Sequence, residues 1–281
     1  MKFSRALRLF VLITLPLSLL ALRLFVYPYD STAIAHNGEL FPILHPPSSA
    51  HILGTSSIGQ DVFVRTVDGL LVALFVLTLG SAAALTIGAL FALVSYLGGT
   101  FVDKLMSYIG DALYSIPSLL IALSMLLGLP ADSEYRLQTI LLAVSASVGL
   151  FFGAKIFRTL RVNLARERQE GYFVAAHAAG LSRSRLFVIH LLPNSLRGIR
   201  PLITGAGSDA VLTLAGLGFV GVGISATDGA DWGYDLSRGV ADLSQGIWWT
   251  TLFPALAISL VVLLFSRLSE GRGQIDNSWR R

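Results

Sequence analysis

The spacing Gly216-x-Gly218-x-x-Gly221 is that of a dinucleotide-binding turn, the first pattern in this sequence that suggests chemistry. That chemistry needs a strand before the glycines, a helix start after them and a downstream acid for the ribose. Here the glycines lie inside an apolar stretch and read instead as sites of close helix packing or a bend. The phosphate-cradling loop G-x-x-x-x-G-K-[ST] does not occur, nor does any Gly-Lys pair, so the chain has no P-loop with which to hydrolyse ATP. His36, His45 and His51 share one segment with several carboxylates, but separations of nine and six residues fit no compact ligand set. No metal site and no catalytic set is expected. Asp111 and Asp209 are different, because each falls within an apolar segment where an ionisable group is costly and is a functional suspect by default. Asp111 suits either a contact with basic residues or substrate handling. Asp209 suits lining a pathway, an interhelical hydrogen bond or burial in its protonated form.

The elements that must position these residues follow from composition. The 281 residues are 54% hydrophobic and 14% charged, with a mean hydropathy of +0.69, far from the roughly 25% charged of soluble domains. The chain therefore reads as an all-α membrane protein. A spanning helix needs about 20 mostly apolar residues, and six segments qualify: 9–27, 70–96, 109–129, 137–157, 201–224 and 247–265. The first is read as an uncleaved span, with Arg23 snorkelling to the interface near its end. The stretch from Gly69 to Val102 has no charge and is too long for one helix, so a break is placed at Gly98-Gly99. With no cysteine in the chain, no disulfide or thiolate chemistry arises.

Lys and Arg orient the spans. Of 21 such residues, only Arg65, Arg136 and Arg238 fall on one side, with Arg23 inside a span. The rest gather at both termini, at Lys104 and between Lys155 and Arg200, which places both termini in the cytoplasm. The opposite loops, 28–68 and 225–246, are rich in acid. This basic excess is a topology signal, and nucleic-acid binding is excluded as its meaning.

The longest cytoplasmic interruption, 163–194, contains VAAHAAGLSRSRLFVIHLLPN and cannot span a bilayer. It reads as two short helices. Gly180 supplies the left-handed residue that ends the first, Ser182 is an N-cap for the second, and Pro193 stops it. Phe173, Ala176, His177 and Gly180 share one face, and Leu186, Ile189 and His190 line up on the next helix. Ala175, Ala176 and Ala179 let a partner approach the backbone closely, while Phe173 and Leu181 suit an apolar pocket, as in helix-in-groove recognition. An amphipathic helix on the lipid surface is the alternative.

This segment resembles the EAA loop of ABC-importer permease subunits, E-A-A-x-x-x-G followed by I-x-L-P. Val174-Ala175-Ala176 precede Gly180, and Ile189 through Pro193 close the loop; Val174 replaces the usual Glu, with Glu170 one turn earlier. HILGTSSIGQDVFVR (51–65), DALYSIPSLLIAL (111–123) and LGFVGVG (217–223) resemble, in order, segments of the second permease subunit of dipeptide, oligopeptide and nickel importers. Asp231-Trp232-Gly233 is similar to that family's S-W-G before a short outer helix.

The resemblance implies a single type I permease domain over 1–281 in a bacterial inner membrane. It implies a homologous second permease, two cytoplasmic ABC ATPases that bring ATP and Mg, an extracytoplasmic solute-binding protein and surrounding lipid, with no cofactor on this chain. The ATPase-coupling residues would be Glu170, Phe173, Ala175, Ala176, His177, Ala179, Gly180, Leu181, Ile189 and Pro193. A gradient-driven carrier or channel acting without an ATPase is the competing expectation; it should show an internal repeat with paired broken helices, and no such repeat is evident.

Overall fold

The computed structural model describes residues 20–21, 23–25, 27–36, 38–128, 136–178, 180–196 and 198–268. Most of the expected first span, 9–27, lies outside the described residues. The regular structure is helical apart from a two-stranded antiparallel hairpin, β1 (Ala35–His36) with β2 (Glu39–Leu40). From residue 62 onward, the α-helices among the described residues are α1 (Val62–Tyr114), α2 (Ser118–Leu127), α3 (Arg136–Glu167), α4 (Gly171–Ala178), α5 (Arg183–Leu186), α6 (Leu192–Ser195), α7 (Arg200–Val220), α8 (Trp232–Leu243) and α9 (Trp249–Arg267). Four of them, α1, α3, α7 and α9, are long and apolar enough to cross a membrane.

The expected break at Gly98-Gly99 is present. Gly99 has φ 75° and ψ −169°, a conformation that only glycine adopts readily. Two expectations need correction. Segment 109–129 is not one helix: α1 ends at Tyr114 and α2 begins at Ser118. Pro117 has no N–H to donate and holds φ −55°, ψ 140°, and proline also biases the preceding residue away from helix. Hydropathy averages across such a break without registering it. Segment 137–157, by contrast, is only part of a helix that runs on to Glu167, because helical backbone does not stop where apolar sequence does.

The chain divides into two compact units. The first comprises 1–75, 130–141 and 214–264. Tyr27, Phe63, Val64 and Val67 form a buried cluster there, with Tyr29 and Leu53 against it. Asp61 starts α1, well before the expected span: its Oδ1 accepts from the N–H groups of Phe63 (2.8 Å) and Val64 (3.1 Å). Its Oδ2 meets His51 Nδ1 at 2.7 Å and accepts from the Tyr29 hydroxyl at 3.0 Å. His51 is thereby spoken for structurally, as are His45, whose Nδ1 lies 2.9 Å from Pro46 O, and His36, packed on Tyr29. The Arg23 guanidinium pairs with Asp68 at 2.9 Å.

The second unit comprises 76–129, 142–213 and 265–281. Its helices approach closely through small residues. A Cβ on Gly149 would lie 2.8 Å from that of Ala83, and one on Gly153 would lie 2.8 Å from Ile87. Bare glycines at this i, i+4 spacing let α3 seat against α1.

Candidate functional site

The 163–194 segment is built by local rules and then anchored by packing. At the end of α4, the Leu181 N–H donates to Ala176 O at 3.4 Å and Gly180 has φ +80°. That six-to-one bond across a left-handed glycine is a Schellman ending, as the sequence leads one to expect. Glu170 lies exposed just before α4, and its carbonyl accepts from Phe173 N at 3.0 Å. Phe173, Ala176 and Leu181 are half-buried, and Ala175 is exposed. Ala179 and the side chain of His177 lie outside the described residues.

The second helix departs from expectation. Pro193 does not stop it; α5 continues through a π-helical turn, Phe187–Leu191, into α6. The Leu192 N–H donates to Phe187 O, five residues back, so the wider turn accommodates a proline that cannot donate. This shift also changes the faces. Leu186, Phe187 and Leu191 are 0%, 1% and 0% exposed, whereas Val188 and Ile189 are 54% and 55% exposed. Ile189 therefore does not line up with Leu186. The buried face is held by Phe187 packing on Tyr96 at 5.3 Å and by Asn163 Nδ2 donating to Ser195 O at 2.8 Å. The apolar residues left exposed are Ala175, Val188, Ile189 and Pro193, alongside exposed Tyr172, Ser182, Ser184 and Arg185.

The two intramembrane acids separate in role. Asp111 meets Arg158 at 3.4 Å, each side chain 57% exposed, a weak surface pair. Asp209 accepts from the Ser118 hydroxyl at 2.5 Å, and Ser118 in turn lies 3.1 Å from Thr213 Oγ1. The structure thus joins the first turn of α2, created by the break at Pro117, to the middle of α7.

Sequence reasoning missed a buried pair in the first unit. Arg65, 2% exposed, donates through Nε to both Asp235 oxygens at 2.8 and 3.0 Å and through Nη1 to Ser31 O at 3.2 Å. Burial pushes the Asp235 carboxyl up while the Arg65 charge pulls it down. No local pattern marks a pair 170 residues apart. The short outer helix is present as α8, capped by Asp231, which accepts from Gly233 N (2.8 Å), Tyr234 N (3.4 Å) and Ile224 N (3.1 Å). Gly218 and Gly223 leave room for this carboxylate; a Cβ at either would come within 2.5 Å of its Oδ2. Gly218, the middle glycine of the dinucleotide-like spacing, thus serves a helix cap. Trp232 and Trp249 are buried, and their indole N–H groups donate to Thr66 O at 3.0 Å and Thr55 O at 3.1 Å.

Burial raises the Asp231 carboxyl to about 7 from its ordinary 3.8, with Asp235 adding to the rise and the three N–H donors opposing it. The folded chain then binds more protons at this site than the unfolded chain between those values. The stability it contributes is full below the unfolded value and is lost as pH rises through about 7. The thermal midpoint of the purified protein is expected to fall between about pH 5 and about pH 8, by a few kcal/mol equivalent, and Asp231→Asn should flatten that slope. An unchanged slope in the variant would exclude Asp231 as its origin.

Residues 84–272 match the family described as binding-protein-dependent transport system inner membrane component. The chain belongs to this family. It is the permease subunit of an ABC transport system in the inner membrane, not an enzyme, and such systems work with separate ATPase and binding-protein components. It is 34% identical over 228 residues to a dipeptide transport system permease of Alkalihalophilus pseudofirmus, covering 81% of this chain and 72% of that one. An oligopeptide transport system permease of Bacillus subtilis is 29% identical over 256 residues, 91% and 79% of the two chains. A probable D,D-dipeptide transport system permease of Escherichia coli is 32% identical over 264 residues, 93% and 83%.

Proposed function

We propose that the chain imports peptides as one half of a permease pair, crossing the membrane six times with both termini cytoplasmic. The 281 residues act as one permease domain beside a homologous second permease. Two cytoplasmic ATPases, holding ATP and Mg, drive it, and this chain carries no cofactor of its own. An extracytoplasmic binding protein delivers the cargo at the acidic outer loops. The asymmetric bias of Lys and Arg supports the orientation, and the names of the relatives support the cargo.

The observation that carries the ATPase docking is the exposure of the apolar residues Ala175, Val188, Ile189 and Pro193 on a segment anchored from behind by Leu186, Phe187 and Leu191. A rigid backing lets a docked protein push on the permease. For that push to do work, the ATPases must favour one permease conformation over the other by a few kcal/mol, because binding without discrimination shifts no equilibrium. The test is co-purification with an ATPase followed by uptake of a labelled dipeptide into proteoliposomes containing the assembled transporter and its binding protein. Uptake that requires ATP supports the reading. Uptake driven by an ion gradient, with no ATPase bound, would replace it with the carrier reading.

A further inference from the structure

Asp209 sits on an open stripe of α7. Ala206, Ala210, Val211 and Thr213 are buried, whereas Gly205, Asp209 and Leu212, spaced by four and three residues, are partly or fully open. Asp209 is the only ionisable group on that stripe. At about 1.5 Å per residue it lies roughly 13 Å along the helix from Arg200, the nearest basic residue of the same helix, which is close to mid-depth in a bilayer core about 30 Å thick. Among the described residues no ion pair holds it. Its partner is a hydroxyl: Ser118 donates to Oδ2 at 2.5 Å, and the Ser118 hydroxyl lies in turn 3.1 Å from Thr213 Oγ1.

A carboxylate on an open stripe at mid-depth is costly against lipid and calls for a polar, cationic counterpart. Ser118 is the first residue of α2, the helix that restarts after the Pro117 break, and interrupted helices at this depth are where transporters build cargo sites. Resting on the peptide reading above, we infer that Asp209 receives the α-ammonium group of the peptide as it passes. Ser118, itself held by Thr213, fixes the carboxylate's orientation, and the open side of the stripe admits the ligand. The exposed, flexible Leu212 leaves the side chain beyond the ammonium unconstrained, which suits a carrier of varied peptides. Asp209 is then a specificity-determining residue for cargo with a free amino terminus.

The test uses the assembled transporter with its binding protein in proteoliposomes. Asp209→Asn keeps the shape and the hydroxyl partner but removes the charge. It should assemble with the ATPases in normal yield and import a free-amino dipeptide at least roughly tenfold more slowly, as expected for loss of one partner of a desolvated charge pair. Asp209→Glu should retain most of the uptake. Because the chain has no cysteine, Leu212→Cys places a unique thiol in this subunit on the same stripe. It should react with a charged, membrane-impermeant thiol reagent while ATP is turning over, and the dipeptide should slow that reaction. Wild-type uptake by the Asn variant, equal losses in the Asn and Glu variants, or a Leu212→Cys thiol that does not react or is not protected would each overturn the assignment. If the Asp209 variants fail to assemble, the Leu212→Cys result decides alone. A wild-type transporter that moves no peptide under ATP would remove the cargo reading itself, and this is seen before any variant is made.

Discussion

Gly180→Pro is expected to abolish ATP-driven uptake while leaving the permease inserted and its helical content unchanged. Gly180 has φ +80°, and proline is locked near −65°, so the substitution cannot be absorbed by small adjustments of neighbouring residues. The Leu181 N–H bond to Ala176 O is lost with the left-handed turn. Residue 180 has open space around it, with nothing within 4 Å of where a Cβ would lie, so steric overlap is not the cause. What changes is the angle between α4 and the helix that follows, and hence the position of Ala175 relative to Val188 and Ile189. An αL residue other than glycine costs roughly 1–2 kcal/mol, so Gly180→Ala should lower coupling partly, and proline, whose ring excludes a positive φ altogether, fully. The measurement is uptake and ATP hydrolysis on the same proteoliposomes. Full ATP-driven uptake by Gly180→Pro would show that the segment does not transmit the work.

The second large effect is on stability. A Cβ at Gly233 would lie 2.0 Å from Ala215 O and 2.6 Å from the carbonyl carbon and Cα of Ala215. All three contacts are with backbone, so no rotamer change relieves them. Gly233→Ala must push α8 away from the end of α7, which strains the Asp231 cap and the Trp232 bond to Thr66 O. Overpacking costs about 1–3 kcal/mol where side chains can yield, and more where they cannot; here the expected loss is above about 4 kcal/mol, enough to unfold a marginal domain. Gly128→Ala is the matched control, since nothing lies within 4 Å of a Cβ there. Thermal unfolding in detergent should show a large drop for Gly233→Ala and almost none for Gly128→Ala. Equal midpoints would mean that α7 and α8 are not in contact as described.

Much of the 163–194 segment is legible in the sequence. Gly180, Gly99 and the start of α8 at Asp231 act within one or two turns of chain, where the residue type nearly dictates the backbone angle. Membrane character and the basic bias are likewise sums over composition, and they need no knowledge of which segments meet. The misreadings have a common origin. Pro193 reads as a stop because the π-helical turn that shelters it depends on Phe187 and Leu191 finding a buried seat. The break from Ser115 to Pro117 is hidden because an apolar average is blind to a missing N–H.

Residue types and their local spacing are enough to determine that this chain lives in lipid and where several short helices begin and end. Only the tertiary structure decided that Asp209 meets Ser118 across 91 residues, that Arg65 is neutralised by Asp235, and that Ile189 faces outward. Those outcomes depend on burial against distant segments. The free energy of burying a group is set by its neighbours in space, and neighbours in space are not written at any fixed distance along the chain.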